Sequence, residues 1–216
     1  MPLSRREMNA REANDGEEEI ETLAELMFLL TLVTYSDLAE AEGKFRRLMQ
    51  RYRGDASDWS KHCTAGYEFY NRQFLLQNDK ISLILLIFPP RQGNLLHDHG
   101  SSSCIFKVLQ GALFERYYRP GPLPEHLQRR VEITYAQGDL NASATNTPHC
   151  VRNLSSTETA VSAVLYFPPL TSCHIYTNSG QQQEVQPIFG AAAPTVHNLH
   201  RLDGENEDDA EENSIT

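Results

Sequence analysis

Apolar positions change their period part-way along the chain. Between about Glu17 and Arg53 they recur at helical spacing, as Leu26, Leu29, Leu30 and Val33 and then Phe45, Leu48 and Met49, which predicts helices. Ser36 and Asp37, just before LAEAEGKFRRL, offer an N-cap for the second of them. From Tyr67 the pattern shifts to short β-rich runs separated by turn signals: YEFYNRQFLLQ, then ND, then KISLILLIF, then PPRQGN. CIFKVLQ and ALFERYY flank Gly111 as a predicted hairpin. After RPGPLPEHLQ come RRVEITYAQ, a Gly-Asp turn, CVRNLSS and TAVSAVLYFPP. Many short strands at this spacing predict a sandwich or a barrel. No repeat of roughly 20 to 50 residues recurs, which argues against a propeller or solenoid.

A chain of 216 residues can bury one sizeable core. The formal charge of -10 is concentrated at the ends, in EANDGEEEIE and DGENEDDAEE. Such runs cannot bury enough apolar surface to offset the entropy of ordering them. The expected organisation is therefore an acidic, disordered head over 1–19, a single domain with N-terminal helices over 20–200, and an acidic, disordered tail over 201–216. Nucleic acid is an unsuitable partner, because phosphate binding needs basic patches that the chain does not concentrate anywhere.

Four cysteines, Cys63, Cys104, Cys150 and Cys173, are scattered without a CxxC pair, as expected for reduced thiols in the cytoplasm. The apolar stretch LAELMFLLTLV contains Glu25 and follows an acidic segment rather than a basic one, so it does not read as a leader. No apolar run reaches the roughly 18 residues of a membrane span. A soluble protein, acting as a monomer without a membrane or nucleic-acid partner, is the expectation.

The chemistry centres on HDHGSSSCIFKVLQG, from His97 to Gly111. In an extended segment His97 and His99 share one face while Asp98 points away. Two neutral imidazoles at this spacing suit a first-row metal, and a further ligand must come from elsewhere in the fold. His149, in TPHCVRN, is the best-placed candidate. Asp98, turned away, suits a role bonding a turn or supporting a ligand. His62, His126, His197 and His200 fit no ligand pattern and read as surface residues.

The same stretch resembles the first cupin motif, in which HxH is followed by an acid and then a glycine. Here Cys104 stands at the acid's spacing and Gly111 at the glycine's. His149 and Asn153 resemble the end of the second cupin motif. Cysteine at the acid's position is the signature of eukaryotic cysteine dioxygenases, non-haem iron cupins. Across roughly Tyr67 to Gly190 the chain is similar to that family through YNR, HDHxxxxC, KVLQG, HxVxN, AVSxxLYxPP and SCH.

The resemblance implies a mainly β, jelly-roll-like cupin barrel with N-terminal α-helices. It implies that His97, His99 and His149 bind mononuclear Fe(II), that Arg72 holds the substrate carboxylate, and that Tyr70 lies nearby. Cys104 and Tyr166 match the pair that the family joins as a thioether, and Cys173 and His174 match a pair that supports the site. Ser103 and Val164 depart from the pattern, standing where the best-known animal members have histidine, and Cys150 stands where they have arginine. The implied reaction adds both atoms of dioxygen to L-cysteine, giving L-cysteine sulfinate, with no organic cofactor. A related carboxylate thiol such as 3-mercaptopropionate is the alternative substrate, and a non-catalytic metal-binding module is the alternative class.

Each residue also has its own physical rationale. Three neutral imidazoles leave a metal its full divalent charge, which attracts a thiolate and lowers the pKa of a bound thiol. Arg72 and Tyr70 are two positions apart and share a face in a strand, and a planar guanidinium can bind a carboxylate through two bonds. Taken alone, Cys104 could be a small buried residue and Tyr166 a core aromatic.

Overall fold

The computed structural model describes residues 18–63, 70–120, 127–143, 147–176 and 182–186. The acidic tail 201–216, the head up to residue 17, His126, His197, His200 and the start of the strand expected from Tyr67 lie outside the described residues.

Two helices lead the described residues, α1 over Leu23–Leu32 and α2 over Leu38–Arg51. The Asp37 side chain accepts from the amide of Glu40 at 2.9 Å, and Glu40 reaches back to the amide of Ser36 at 2.8 Å. This reciprocal cap is the start signal expected at that point. The helical stretch begins later than the expected Glu17, at Leu23, because residue 20 is claimed by another partner. The amide of Ile20 bonds the carbonyl of Arg51 at 3.1 Å, and the amide of Arg53 bonds the carbonyl of Ile20 at 3.0 Å. An extended bridge thus closes the chain against the end of α2. A one-turn helix, α3 at Ala56–Trp59, follows.

Ten strands come next among the described residues: β1 Asn71–Gln77, β2 Ser82–Phe88, β3 Ser103–Gln110, β4 Ala112–Pro120, β5 Leu127–Ala136, β6 Leu140–Ser143, β7 His149–Arg152, β8 Ala160–Phe167, β9 Cys173–Tyr176 and β10 Gln182–Val185. One antiparallel sheet has the order β1-β2-β8-β3-β6. A second is built from β5-β4-β7 and β10-β9, joined where His97 bridges His149 on β7 and Ile175 on β9. Gly111 makes the β3–β4 hairpin at φ +71°, and a Cβ there would stand 3.2 Å from Ala160. The fold is mainly β with N-terminal helices, as the cupin resemblance implied.

The continuous apolar run of β2 has a simple cause: its sheet is covered on both faces. Leu83, Leu85 and Ile87, with Ile105, Leu109, Leu165 and Phe167, pack against Leu26, Leu30, Phe45 and Met49 of the helices. The alternate positions Ile84, Leu86 and Phe88, with Cys104, Phe106, Val164 and Tyr166, meet Leu113, Tyr135 and Cys173 of the second sheet. The helices thus cover one face, and the site lies in the space between the sheets.

Lys107 is the polar exception on the helix-facing side. Its ammonium donates to the carbonyl of Gln50 at 3.0 Å and to that of Tyr52, at the C-terminal end of α2. Cations suit that end of a helix. Burial lowers its pKa from 10.5 to about 8. Lys107→Met keeps the stem but removes the donor, and is expected to cost about 1 to 3 kcal/mol at pH 7, read by urea denaturation. Between about pH 8 and 10.5 the unfolded chain keeps a proton on Lys107 that the folded chain has released. Stability rises with pH in that window. The wild-type advantage over Lys107→Met should therefore widen from pH 8 to pH 10; a constant difference would contradict the buried placement.

Candidate metal centre

Backbone pairing brings the histidines together. His97 and His149 are directly opposed, the amide of His97 bonding the carbonyl of His149 at 3.0 Å and the reverse bond measuring 2.8 Å. His97 lies in a single extended bridge rather than in the full strand the HxH alternation suggested, because neighbours flank it only at that residue. The alternation nonetheless holds: His99 joins the other two, and one ligand atom from each lies within 4.8 Å of the others. All three are buried, between 3 and 7 % exposed.

Backbone carbonyls set the imidazole tautomers. The Nδ1 atoms of His97 and His149 lie 2.8 Å from the carbonyl oxygens of Leu95 and Thr147. A carbonyl only accepts, so each Nδ1 carries a proton, which leaves each Nε2 as the atom that can face a metal. The Nδ1 of His99 is buried with no hydrogen-bond partner. Burial, followed by the facing His149, pushes the pKa of His97 down to about 3, and the same causes together with His97 hold His99 well below its ordinary value. Imidazole nitrogens converging on one buried point fit a bound cation.

Asp98 faces the other way. Its carboxylate accepts from the amide of Gly100 at 2.9 Å, the amide and ring of His174 at 3.0 and 2.9 Å, and the hydroxyl of Tyr176 at 2.7 Å. These bonds lower its pKa although burial, the largest single influence, opposes them. The HxH turn is thereby strapped to β9. Gly100 at φ +55° makes that turn possible, since a Cβ would stand 2.7 Å from the carbonyl oxygen of Ser172. Asn153 supports the opposite side, its amide donating to the carbonyls of Phe88 and Glu158 at 2.9 and 2.7 Å.

Cys104 and Tyr166 are cross-strand partners on β3 and β8, 3 and 5 % exposed. Directly opposed side chains are neighbours, with Cβ atoms roughly 4.5 to 5.5 Å apart. The Tyr166 ring meets His99 edge-on at a centroid distance of 5.1 Å, which places the pair beside the imidazoles. Burial and then the charge of Glu115 push the Cys104 thiol well up, and burial and then Cys104 do the same for the Tyr166 phenol. Val164, two residues from Tyr166, lies between Ile84 and Phe106 on the neighbouring strands and offers the phenol nothing to bond.

Arg72 projects into the same space. Its Nε donates to the Tyr70 hydroxyl at 3.0 Å, and the guanidinium lies 5.5 Å from the Tyr70 ring centre. Burial works against its charge, but Tyr70, Tyr166 and Cys173 more than compensate, and its pKa is raised. The charge of Arg72 in turn helps keep His97 and His99 neutral. Cys150 is buried beside His149 and pairs across strands with Arg116. His62 stands apart, partly exposed in a short turn of 3-10 helix over Ser60–His62.

His97, His99, His149, Arg72, Tyr70, Cys104 and Tyr166 therefore lie together between the sheets. A model of the family described as cysteine dioxygenase type I matches residues 15–179. The chain belongs to the cysteine dioxygenase type I family. Human cysteine dioxygenase type 1 is 30% identical over 174 residues, covering 78% of this chain and 86% of that protein. The zebrafish (Danio rerio) protein of the same name is 31% identical over 180 residues, with the same coverage. Among solved structures, a cupin protein with a double-stranded β-helix fold from Methanocaldococcus jannaschii aligns at 10% identity and a TM-score of 0.39, covering 49% of this chain and 85% of that one. Membership in the cysteine dioxygenase family and the three-histidine cluster together mark a metal site and a thiol dioxygenase role.

Sequence reasoning passed over Glu115, which is 1 % exposed and whose Oε1 lies 3.8 Å from Nε2 of His149. Leu113, Glu115 and Tyr117 alternate along β4, so an acid on the face of a buried leucine was the available signal. The Tyr117 hydroxyl links to Ser143 at 3.2 Å and receives a bond from the Asn141 amide at 3.0 Å.

Proposed function

We propose that this protein is an Fe(II)-dependent cysteine dioxygenase, converting L-cysteine and dioxygen to L-cysteine sulfinate. The observation that carries this reading is the convergence of three buried imidazoles beside the buried guanidinium of Arg72. His97, His99 and His149 are the residues to hold the metal. Iron bound there supplies dioxygen activation and, through its charge, lowers the pKa of the substrate thiol. Arg72 binds the substrate carboxylate in a charge-assisted contact, while the Tyr70 hydroxyl fixes the plane of its guanidinium. The walls of Phe88, Leu170 and Cys173 keep bulk water away. Thiolate and dioxygen combine to the sulfinate with no other reactant consumed. The four free thiols suit a reducing cytoplasm, and the chain acts as a monomer in this reading.

Arg72 selects a carboxylate but not an amine, so 3-mercaptopropionate is the rival substrate. Sulfinate formation from an equimolar mixture of the two thiols separates them. Preference for cysteine is expected; exclusive turnover of 3-mercaptopropionate would reassign the substrate. A metal-loaded protein that turns over no small thiol would indicate the non-catalytic alternative instead.

The Cys104 and Tyr166 pair is the residue set to form a thioether, with dioxygen as the oxidant that takes up the two hydrogens lost, and Val164 is the reason to expect it incomplete. A polar partner for the phenol is lost, and losses of this kind cost about 10- to 100-fold in activity. Val164→His should raise both rate and crosslinked fraction, the latter read by intact mass as a loss of two hydrogens. Because Val164 is packed against Phe106, a larger ring is expected to cost about 1 to 3 kcal/mol of stability. A natural protein already fully crosslinked would show that the missing imidazole is compensated.

A further inference from the structure

Ser143 and Asn141 are polar side chains buried beside the site. Both belong to β6, at the edge of the first sheet, where they stand across from Cys104 and Phe106 of β3 and are 5 and 8 % exposed. Such groups are costly to bury unless bonded. The bonds come from the other sheet: the Asn141 amide donates to the Tyr117 hydroxyl on β4 at 3.0 Å, and the hydroxyls of Tyr117 and Ser143 share a bond of 3.2 Å. Tyr117 thus spans the gap between the sheets. Its cross-strand partner on β7 is His149, with ring centres 5.7 Å apart.

These contacts close a circuit around the three histidines. From His149 it runs to His99, with ring centres 4.7 Å apart, and on to Tyr166 at 5.1 Å. Strand pairing carries it from Tyr166 to Cys104 and from Cys104 to Ser143. The bond from Ser143 to Tyr117 and the pairing of Tyr117 with His149 complete it. Resting on the proposed metal centre, we propose that Tyr117 is a positioning residue, whose hydroxyl holds the His149 ligand in register with the Cys104 and Tyr166 pair. Backbone pairing fixes positions within a sheet but not the separation of one sheet from the other, and here the tie from Tyr117 to β6 sets it. Phenylalanine would fill the same space beside His149, so packing alone does not call for the hydroxyl. The tie is itself anchored: the buried carboxyl of Glu115, two residues back on the same face of β4, is hydrogen-bonded by Tyr117, Tyr135 and Asn141. A buried network satisfied in this way specifies one arrangement of its members. Without the tie, His149 can shift against Cys104 and Tyr166, whereas Arg72, on β1 at the far edge of the first sheet, keeps its hold on the substrate carboxylate.

Tyr117→Phe keeps the ring and removes the tie. Co(II), titrated into the metal-free full-length variant without substrate or dioxygen, should still bind, with its visible bands shifted from those of the wild-type protein and its dissociation constant raised about 10- to 100-fold. With Fe(II), L-cysteine and dioxygen, kcat and the crosslinked fraction should fall while KM is unchanged. Ser143→Ala breaks the tie from its other end and should shift the Co(II) bands in the same way. The two substitutions together should do little more than either alone, since they remove one interaction. Wild-type Co(II) bands in both single variants, even with a loss of thermal stability, would mark the hydroxyl as structural and overturn the assignment while leaving the three-histidine centre standing. Effects that simply add would overturn it as well. If Tyr117→Phe does not fold, Ser143→Ala decides alone by the same bands. Wild-type protein that binds no Co(II) overturns the centre itself, and the positioning role with it.

Discussion

His149→Ala is expected to remove metal binding altogether while leaving the protein folded. The imidazole supplies one of three converging nitrogens, and its loss leaves two on one short segment. The fold does not depend on that ring, because β7 is held by backbone bonds, including both bonds to His97. A buried polar side chain replaced by alanine leaves a modest defect, within the usual range of about 0.5 to 3 kcal/mol. The distinguishing behaviour is the response to metal. At a free metal concentration a hundred times the dissociation constant, the wild-type protein gains about 2.7 kcal/mol, and the variant should gain nothing. Iron content and thermal unfolding, measured on the same samples with and without added metal, report both quantities. Iron retained at the wild-type level would remove His149 from the site.

Arg72→Ala has the second large effect, and its signature is selectivity. A charge-assisted hydrogen bond contributes about 1.5 to 3 kcal/mol, so the variant's KM for cysteine should rise roughly 10- to 100-fold. Cysteamine, which lacks the carboxylate, should be affected far less. Arg72→Lys is expected to recover only part of the loss, since an ammonium neither matches a carboxylate through two bonds nor reproduces the Nε contact with Tyr70. Equal losses for cysteine and cysteamine would show that Arg72 holds the pocket together instead of reading the substrate.

The legible part of this site is what local spacing determines. HxH alternation predicted that His97 and His99 share a face and that Asp98 turns away, and both are seen although His97 is bridged at a single residue. Tyr70 and Arg72 likewise lie on one side, close enough to bond. What was not legible depends on register between distant strands. Asp98 meets His174 and Tyr176, more than seventy residues away, through the bridge from His97 to Ile175. No spacing within either segment announces that meeting. The strands Leu140–Ser143, Cys173–Tyr176 and Gln182–Val185 are four residues each, too short to display a period. Family resemblance supplied the pairing of Cys104 with Tyr166, and the antiparallel register of β3 on β8 gives its physical cause. At the N-terminus an acidic stretch that favours helix by propensity is extended, because the backbone of Ile20 bonds both Arg51 and Arg53.

Turnover of L-cysteine under isotopically labelled dioxygen tests the central claim most directly. The Fe(II)-loaded protein should consume one dioxygen per cysteine and yield cysteine sulfinate carrying both labelled atoms, by mass spectrometry, and His149→Ala should yield none. Sulfinate with a single labelled atom, or a disulfide as the product of dioxygen consumption, would contradict it.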